Sequence, residues 1–149
     1  MIRELGRVTD REMRARAMAA AIESSFNTLT APLPGERKKA AYLIWRRPYM
    51  AAASATFIHE MLESAGFVNA FRHLQRYPEI ELEDLNQLKP DLVLLSSEPY
   101  PFKEAHLQEV QSAVPGGAVA LVDGELFSWY GSRLLKSAAY FAELRERFG

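Results

Sequence analysis

With 149 residues, 48% of them hydrophobic, the chain can close one sizeable core and is too short for several domains. Its 18 basic and 19 acidic residues leave a net charge of -1 with no long block of either sign, which argues against nucleic acid as a partner. Cysteine is absent, which excludes disulfides, thiolate metal sites and thiol catalysis and leaves the redox compartment open. No apolar run approaches the roughly 20 residues that span a bilayer. The opening Met1-Ile2-Arg3-Glu4-Leu5-Gly6 lacks the apolar centre of a signal peptide.

Thr9-Asp10-Arg11-Glu12 has the pattern of a capping box and predicts a helix start. Small and apolar residues at helical spacing, Met13, Ala17, Ala20, Ala21 and Ser24, carry that helix forward. Thr30-Ala31-Pro32-Leu33-Pro34-Gly35 stops it, and with Glu36-Arg37-Lys38-Lys39 reads as a linker.

Beyond the linker, short apolar runs alternate with amphipathic helices. Residues 41–45, 92–96 and 118–122 are strand candidates without polar alternation, as expected of parallel strands covered on both faces. Helices are predicted over Thr56 to Ala65, Phe102 to Ala113 and Arg133 to Arg147, with a short element near Asn69 to Phe71 and one turn at Leu82 to Leu88. Strands separated by helices imply right-handed crossovers. The predicted fold is therefore α/β, a three-layer arrangement of a mostly parallel sheet with helices on both faces, preceded by a long amino-terminal helix.

In open α/β sheets ligands bind outside the carboxyl ends of the strands. Three loops follow the strands: one carries Trp45 and Tyr49, one Glu98 and Tyr100, and one Asp123, Phe127, Trp129 and Tyr130. Rings with a polar tip suit a cleft that holds a bulky, partly apolar ligand, so a ligand-binding role is favoured over a role in closing the sheet end.

Catalytic signals are weak. Pro115-Gly116-Gly117 precedes a strand and reads as a turn, and no phosphate-cradling loop is seen. His59, His73 and His106 lie on separate segments without zinc-ligand spacing, and solvent-facing roles are favoured. Ser54, Ser96, Ser97 and Ser128 lack a nucleophile elbow. Glu98 and Asp123 each follow a strand and could act as an acid and base, but capping roles are favoured. No catalytic residue, resident cofactor or metal site is assigned. In the acidic stretch Tyr77 to Leu85, the residues Glu79, Glu81, Glu83 and Asp84 admit two readings of equal weight, solvated helix capping and docking on a basic partner.

Several segments together resemble, in order and spacing, the carboxy-terminal lobe of helical-backbone substrate-binding proteins for cobalamin, haem and iron-siderophores. They are Ile44-Trp45-Arg46-Arg47-Pro48-Tyr49-Met50, Thr56 through Asn69, Tyr77 through Leu85, Lys89-Pro90-Asp91-Leu92-Val93-Leu94-Leu95 and Gly131-Ser132-Arg133. The resemblance implies a periplasmic or cell-surface component of an ABC importer that is not an enzyme. Residues 1–30 would be the helix joining two lobes, 31–38 a linker and 39–149 the ligand-binding lobe, with the amino-terminal lobe missing from this sequence. The implied partners are a small-molecule ligand, cobalamin or a ferric siderophore, and an ABC permease through which alone the membrane is met.

Carried over onto this sequence, Tyr77 is an aromatic against the ligand, Phe127 and Trp129 lie in the ligand-facing loop, and Glu83 is the acid that meets arginines on the permease. The resemblance tips the acidic stretch toward docking. Ala51-Ala52-Ala53-Ser54-Ala55 stands where relatives use glycine, which argues against close backbone approach to a ligand there. Two other functions stay open: an α/β enzyme acting on a nucleotide-like small molecule through Glu98 or Asp123, and a stand-alone protein-interaction domain using the aromatic edge.

Overall fold

The computed structural model describes residues 12–29, 35–128 and 133–148. Helix α1 (Glu12–Leu29) is followed by strands β1 (Lys39–Trp45) and β2 (Tyr49–Ala51), helix α2 (Phe57–Ser64) and strands β3 (Val68–Asn69) and β4 (Glu79–Ile80). Helix α3 (Leu82–Leu88), strand β5 (Leu92–Ser96), helix α4 (Glu104–Ala113), strand β6 (Ala118–Val122) and helices α5 (Gly124–Ser128) and α6 (Arg133–Phe148) complete the order. Thr9, Asp10 and residues 31–34, on which part of the helix-start and linker readings rest, lie outside the described residues.

The sheet runs β4-β2-β1-β5-β6, with β3 also pairing β1. β1 is parallel to β3 and β5, and β5 is parallel to β6. β2 is antiparallel to both β1 and β4, so the predicted parallel centre carries an antiparallel edge.

Alternation along the central strands divides the core into two layers, because successive side chains of a strand point to opposite faces. Ala40, Tyr42, Ile44, Leu92, Leu94, Ala120 and Val122 pack with α2, α5 and α6, chiefly through Leu62, Phe127 and Phe141. Ala41, Leu43, Val93 and Leu95 pack on the opposite face with Leu85 of α3 and Val110 of α4. The central strands are apolar on both faces because both faces are covered.

Local chemistry fixes where the helices begin and how they dock. Thr56 Oγ1 caps α2 by accepting from the His59 amide at 3.1 Å. At the other end of α2, the Arg37 guanidinium donates to the carbonyls of Glu63 and Phe67, both at 2.8 Å, and pairs with the Glu63 carboxylate at 3.1 Å. A cation there faces the negative end of the helix dipole, so this part of the expected linker is tied to the lobe. Helix α1 extends beyond Ser24 to Leu29, buries Ala15 and Ile22, and packs on α6, where the Phe26 and Phe141 rings meet edge to face at 6.1 Å. Ala55 sits at φ +60, a left-handed conformation that costs an L-residue roughly 1–2 kcal/mol.

Candidate functional site

The carboxyl ends of β1, β5 and β6 lie side by side, and the loops that leave them build the candidate site. A pocket of about 360 Å³ opens there, lined by Ile44, Ile58, Tyr77, Glu98, Pro99 and Ser128. Its walls are mainly apolar. Glu98 and Ser128 supply the polar groups, and Ser128 Oγ lies 3.0 Å from Glu98 Oε1 and 2.6 Å from the Gly124 carbonyl, sharing one proton between two acceptors.

Glu98 is positioned by the end of β5. The buried Ser96 hydroxyl donates to the Glu98 carbonyl at 2.6 Å and accepts from the Glu98 amide at 3.3 Å. It also accepts from the Tyr42 hydroxyl at 3.0 Å, and burial raises the Tyr42 pKa well above the usual tyrosine range. Across the loop, the Gly124 amide donates to Ser97 Oγ at 2.9 Å. A Cβ on Gly124 would lie 2.8 Å from Glu98 Cγ and would also collide with Ser96 Oγ, so the bare α-carbon leaves room for the glutamate stem.

Tyr77 lines the pocket and is 40% exposed, which leaves its ring free to meet a ligand. Trp45 and Tyr100 belong to the other side of the sheet end. Trp45, 38% exposed, meets Tyr100 edge to face at 5.6 Å, and Tyr100 in turn meets Phe102 at 4.8 Å. The Tyr100 amide donates to the Ile44 carbonyl at 3.2 Å, which joins this aromatic group to the pocket through the backbone.

Tyr49 is half-buried, its hydroxyl enclosed beside Arg46 and Glu109, and burial pushes its pKa up. Phe127 departs from the expected ligand wall: its side chain is 0% exposed, with ring centroids 4.9 Å from Tyr42 and 4.7 Å from Phe141. The reason is that residues 124–128 form α5, which turns Phe127 into the core instead of the cleft. Trp129 and Tyr130 lie outside the described residues.

In the acidic stretch, Asp84 Oδ2 accepts from the Glu81 amide at 2.7 Å and so caps α3. Glu83, on the same turn, is exposed. His106 Nδ1 accepts from the Lys103 amide at 2.9 Å at the start of α4, and His59 Nδ1 lies 3.1 Å from Asn69 Nδ2. Both rings are structural, in place of the solvent-facing roles expected for them. Among the described residues no group of three His, Asp or Glu is placed to hold a metal ion.

From the sequence, Ser128 was weighed only as a nucleophile and Glu98 only as a cap or an acid or base. The rule that brought the aromatic residues forward, position just after a strand, applies to Glu98 equally.

An α/β lobe with a largely apolar pocket at its strand ends, polar at two points, defines a class of small-molecule binding domain. The chain belongs to the periplasmic binding protein family, whose model matches residues 1–115. Among solved structures, the periplasmic heme-binding protein HutB of Vibrio cholerae superposes with a TM-score of 0.77 at 22% identity over 95% of this chain and 60% of its own. An ABC-type Fe3+-hydroxamate transport system protein from Saccharomonospora viridis does so with 0.71 at 25% identity over 99% of this chain and 53% of its own. The periplasmic vitamin B12 binding protein BtuF of Vibrio cholerae gives 0.62 at 14% identity over 93% of this chain and 55% of its own. The chain thus spans less than two thirds of the length of each. No curated protein matches the sequence. Among the described residues no helix is long and apolar enough to cross a membrane.

Proposed function

We propose that this chain is a ligand-binding lobe of a substrate-binding protein that delivers a corrinoid, heme or ferric chelate to an ABC importer in the periplasm or at the cell surface. The observation that carries the reading is the pocket at the carboxyl ends of the strands, where Tyr77 stands exposed against an apolar wall. Rigid rings offer a flat ligand large contact area at low entropic cost, and Trp45 and Tyr100 extend the aromatic surface beyond the pocket. Trp129 and Tyr130 complete the set by position in the sequence. Phe127 supports the site from beneath as a core residue.

In this reading residues 1–30 join the lobe to a second lobe, residues 31–38 connect the joining helix to residues 39–149, and the ligand is held between the lobes. Glu83 is the exposed acid that docks on a basic surface of the permease.

The test is a titration of the protein, expressed from its complete reading frame, with hemin, cyanocobalamin and ferrioxamine B while tryptophan emission is followed. Saturable quenching by at least one of them is expected, with an affinity about 10-fold weaker in Tyr77→Ala, since a buried aromatic contact is worth on the order of 1–2 kcal/mol. Absence of saturation with all three overturns the reading.

A further inference from the structure

We propose that the outer edge of β6 is an interface at which two copies of this chain pair antiparallel about a two-fold axis and join their sheets. β6 contributes no residue to the strand-end pocket, so this surface is separate from the ligand-binding reading above.

The two ends of the sheet are built differently. β4, at one end of the strand order, is two residues long, follows Pro78 and carries the exposed Glu79, features that keep an edge from pairing with another chain. β6, at the other end, is Ala118-Val119-Ala120-Leu121-Val122, with no charge, no proline and an unbroken register on β5. Leu121 stands 36% exposed on it.

The backbone of β6 is closed at both ends and open between them. The Ala118 amide donates to the Asp91 carbonyl at 2.9 Å and the Val122 carbonyl accepts from the Ser97 amide at 3.0 Å, so residues 118, 120 and 122 bond toward β5. Alternation turns the N–H and C=O groups of residues 117, 119, 121 and 123 outward. Of these, the Gly117 carbonyl accepts from Gln111 Nε2 at 2.9 Å and the Asp123 amide donates to the Tyr140 hydroxyl at 3.1 Å. The outward amides and carbonyls of Val119 and Leu121 meet no partner among the described residues.

A second copy fits this edge because the edge is its own complement. With the axis beside Ala120, Val119 of each copy faces Leu121 of the other, and every open N–H meets an open C=O. The same register sets these two apolar side chains against each other on the face that carries α4. Asp123 then lies opposite Gly117 of the second copy and meets no like charge. Beside the strand, a groove of about 540 Å³ is lined by Leu107, Gln108, Gln111, Ser112, Pro115 and Val119, none of them charged. A two-fold axis brings a surface near its own image, where a charged strip would repel itself and this one does not.

The test is sedimentation equilibrium of the protein, expressed from its complete reading frame, beside Leu121→Lys and Leu121→Pro, with circular dichroism as the check on folding. The Leu121 amide gives no bond to β5, so proline there spares the internal ladder and blocks the outer one. Lysine sets a charge on the edge. A reversible dimer is expected, with a dissociation constant on the order of 10 µM because the interface is small, and each variant should weaken it by roughly 10-fold or more. Amide exchange followed by NMR should slow at Val119 and Leu121 as concentration rises, and more so than at Ala118, whose bond to Asp91 is already made.

A monomer at about 500 µM overturns the inference. A dimer equally strong in both variants overturns it too, because its contact then lies elsewhere. Slow exchange at Val119 and Leu121 in a protein of monomer mass assigns the edge to an occupant other than a second copy and has the same consequence. If Leu121→Pro does not fold, Leu121→Lys decides.

Discussion

Ser96 accepts from the buried Tyr42 hydroxyl and donates to the Glu98 carbonyl, so its removal has a cost that depends on what Tyr42 can do afterwards. With Ser96→Ala the Tyr42 hydroxyl, in a side chain that is 0% exposed, loses the acceptor 3.0 Å away. A buried polar group left unpaired costs about 1–3 kcal/mol, whereas deleting both partners of a hydrogen bond costs less than the single deletions suggest. Ser96→Ala is therefore expected to destabilise the protein by about 2 kcal/mol, with the double variant Ser96→Ala/Tyr42→Phe destabilised by less than the sum of the two single changes. Urea unfolding of all four proteins measures the coupling, and strict additivity would show that the bond carries no stability.

At this same scale, position after a strand brought forward Trp45 and Tyr100 and the family resemblance brought forward Tyr77, and all three rings are exposed or half-exposed. It misplaced Phe127 because three aromatics in a glycine-flanked run look alike until the single turn of α5 sends one of them inward. The Ser96, Glu98 and Gly124 arrangement was illegible, since contacts between separate loops leave no periodic trace.

Among elements, β1 and β5 were legible because burial on both faces makes a strand apolar throughout, and β6 was legible as an apolar run although Leu121 is 36% exposed at the sheet edge. β2 and β4, three and two residues long, were not. Their pairing is a backbone ladder, and so short a strand shows no alternation.

The turn between β1 and β2 is fastened to α4 by Arg46, whose Nε and Nη2 donate to Glu109 Oε2 at 3.1 and 2.7 Å. This bond lowers the Glu109 pKa below its ordinary value of 4.5. A carboxyl whose folded pKa is depressed stabilises the fold above its unfolded pKa and loses that contribution as pH falls through the folded value. The Glu109 side chain is 39% exposed, so solvent screening holds the pair to the range of surface ion pairs. Glu109→Gln is expected to cost about 0.5 kcal/mol near pH 7 and nothing at a pH well below the lowered folded pKa, where both proteins lack the charge. Denaturant midpoints at the two pH values check this, and an equal gap at both would assign the loss to packing.

For the molecule as a whole, the sequence conveyed the three-layer plan and its family resemblance, because crossover order and core periodicity are written along the chain. It could not separate the roles within the acidic stretch. Geometry separates them: Asp84 caps α3, Leu85 buries its inner face, and Glu83 faces outward on the first turn. An exposed acid there contributes no more than about 1 kcal/mol through the helix dipole, so its loss should leave the fold standing. Rim charges act mainly on association rate and on its salt dependence. Glu83→Ala is accordingly expected to slow association with the permease roughly 10-fold at low ionic strength, with the deficit shrinking toward physiological salt as the Debye length falls to about 8 Å. Because Glu83 is not among the residues lining the pocket, ligand affinity should be unchanged. Surface-plasmon measurement of association with permease in nanodiscs at two salt concentrations, beside a ligand titration of the same variant, separates the cases. An association rate equal to that of the unmodified protein at low salt would remove Glu83 from the docking surface, and a parallel loss of ligand affinity would place its effect in the lobe's structure.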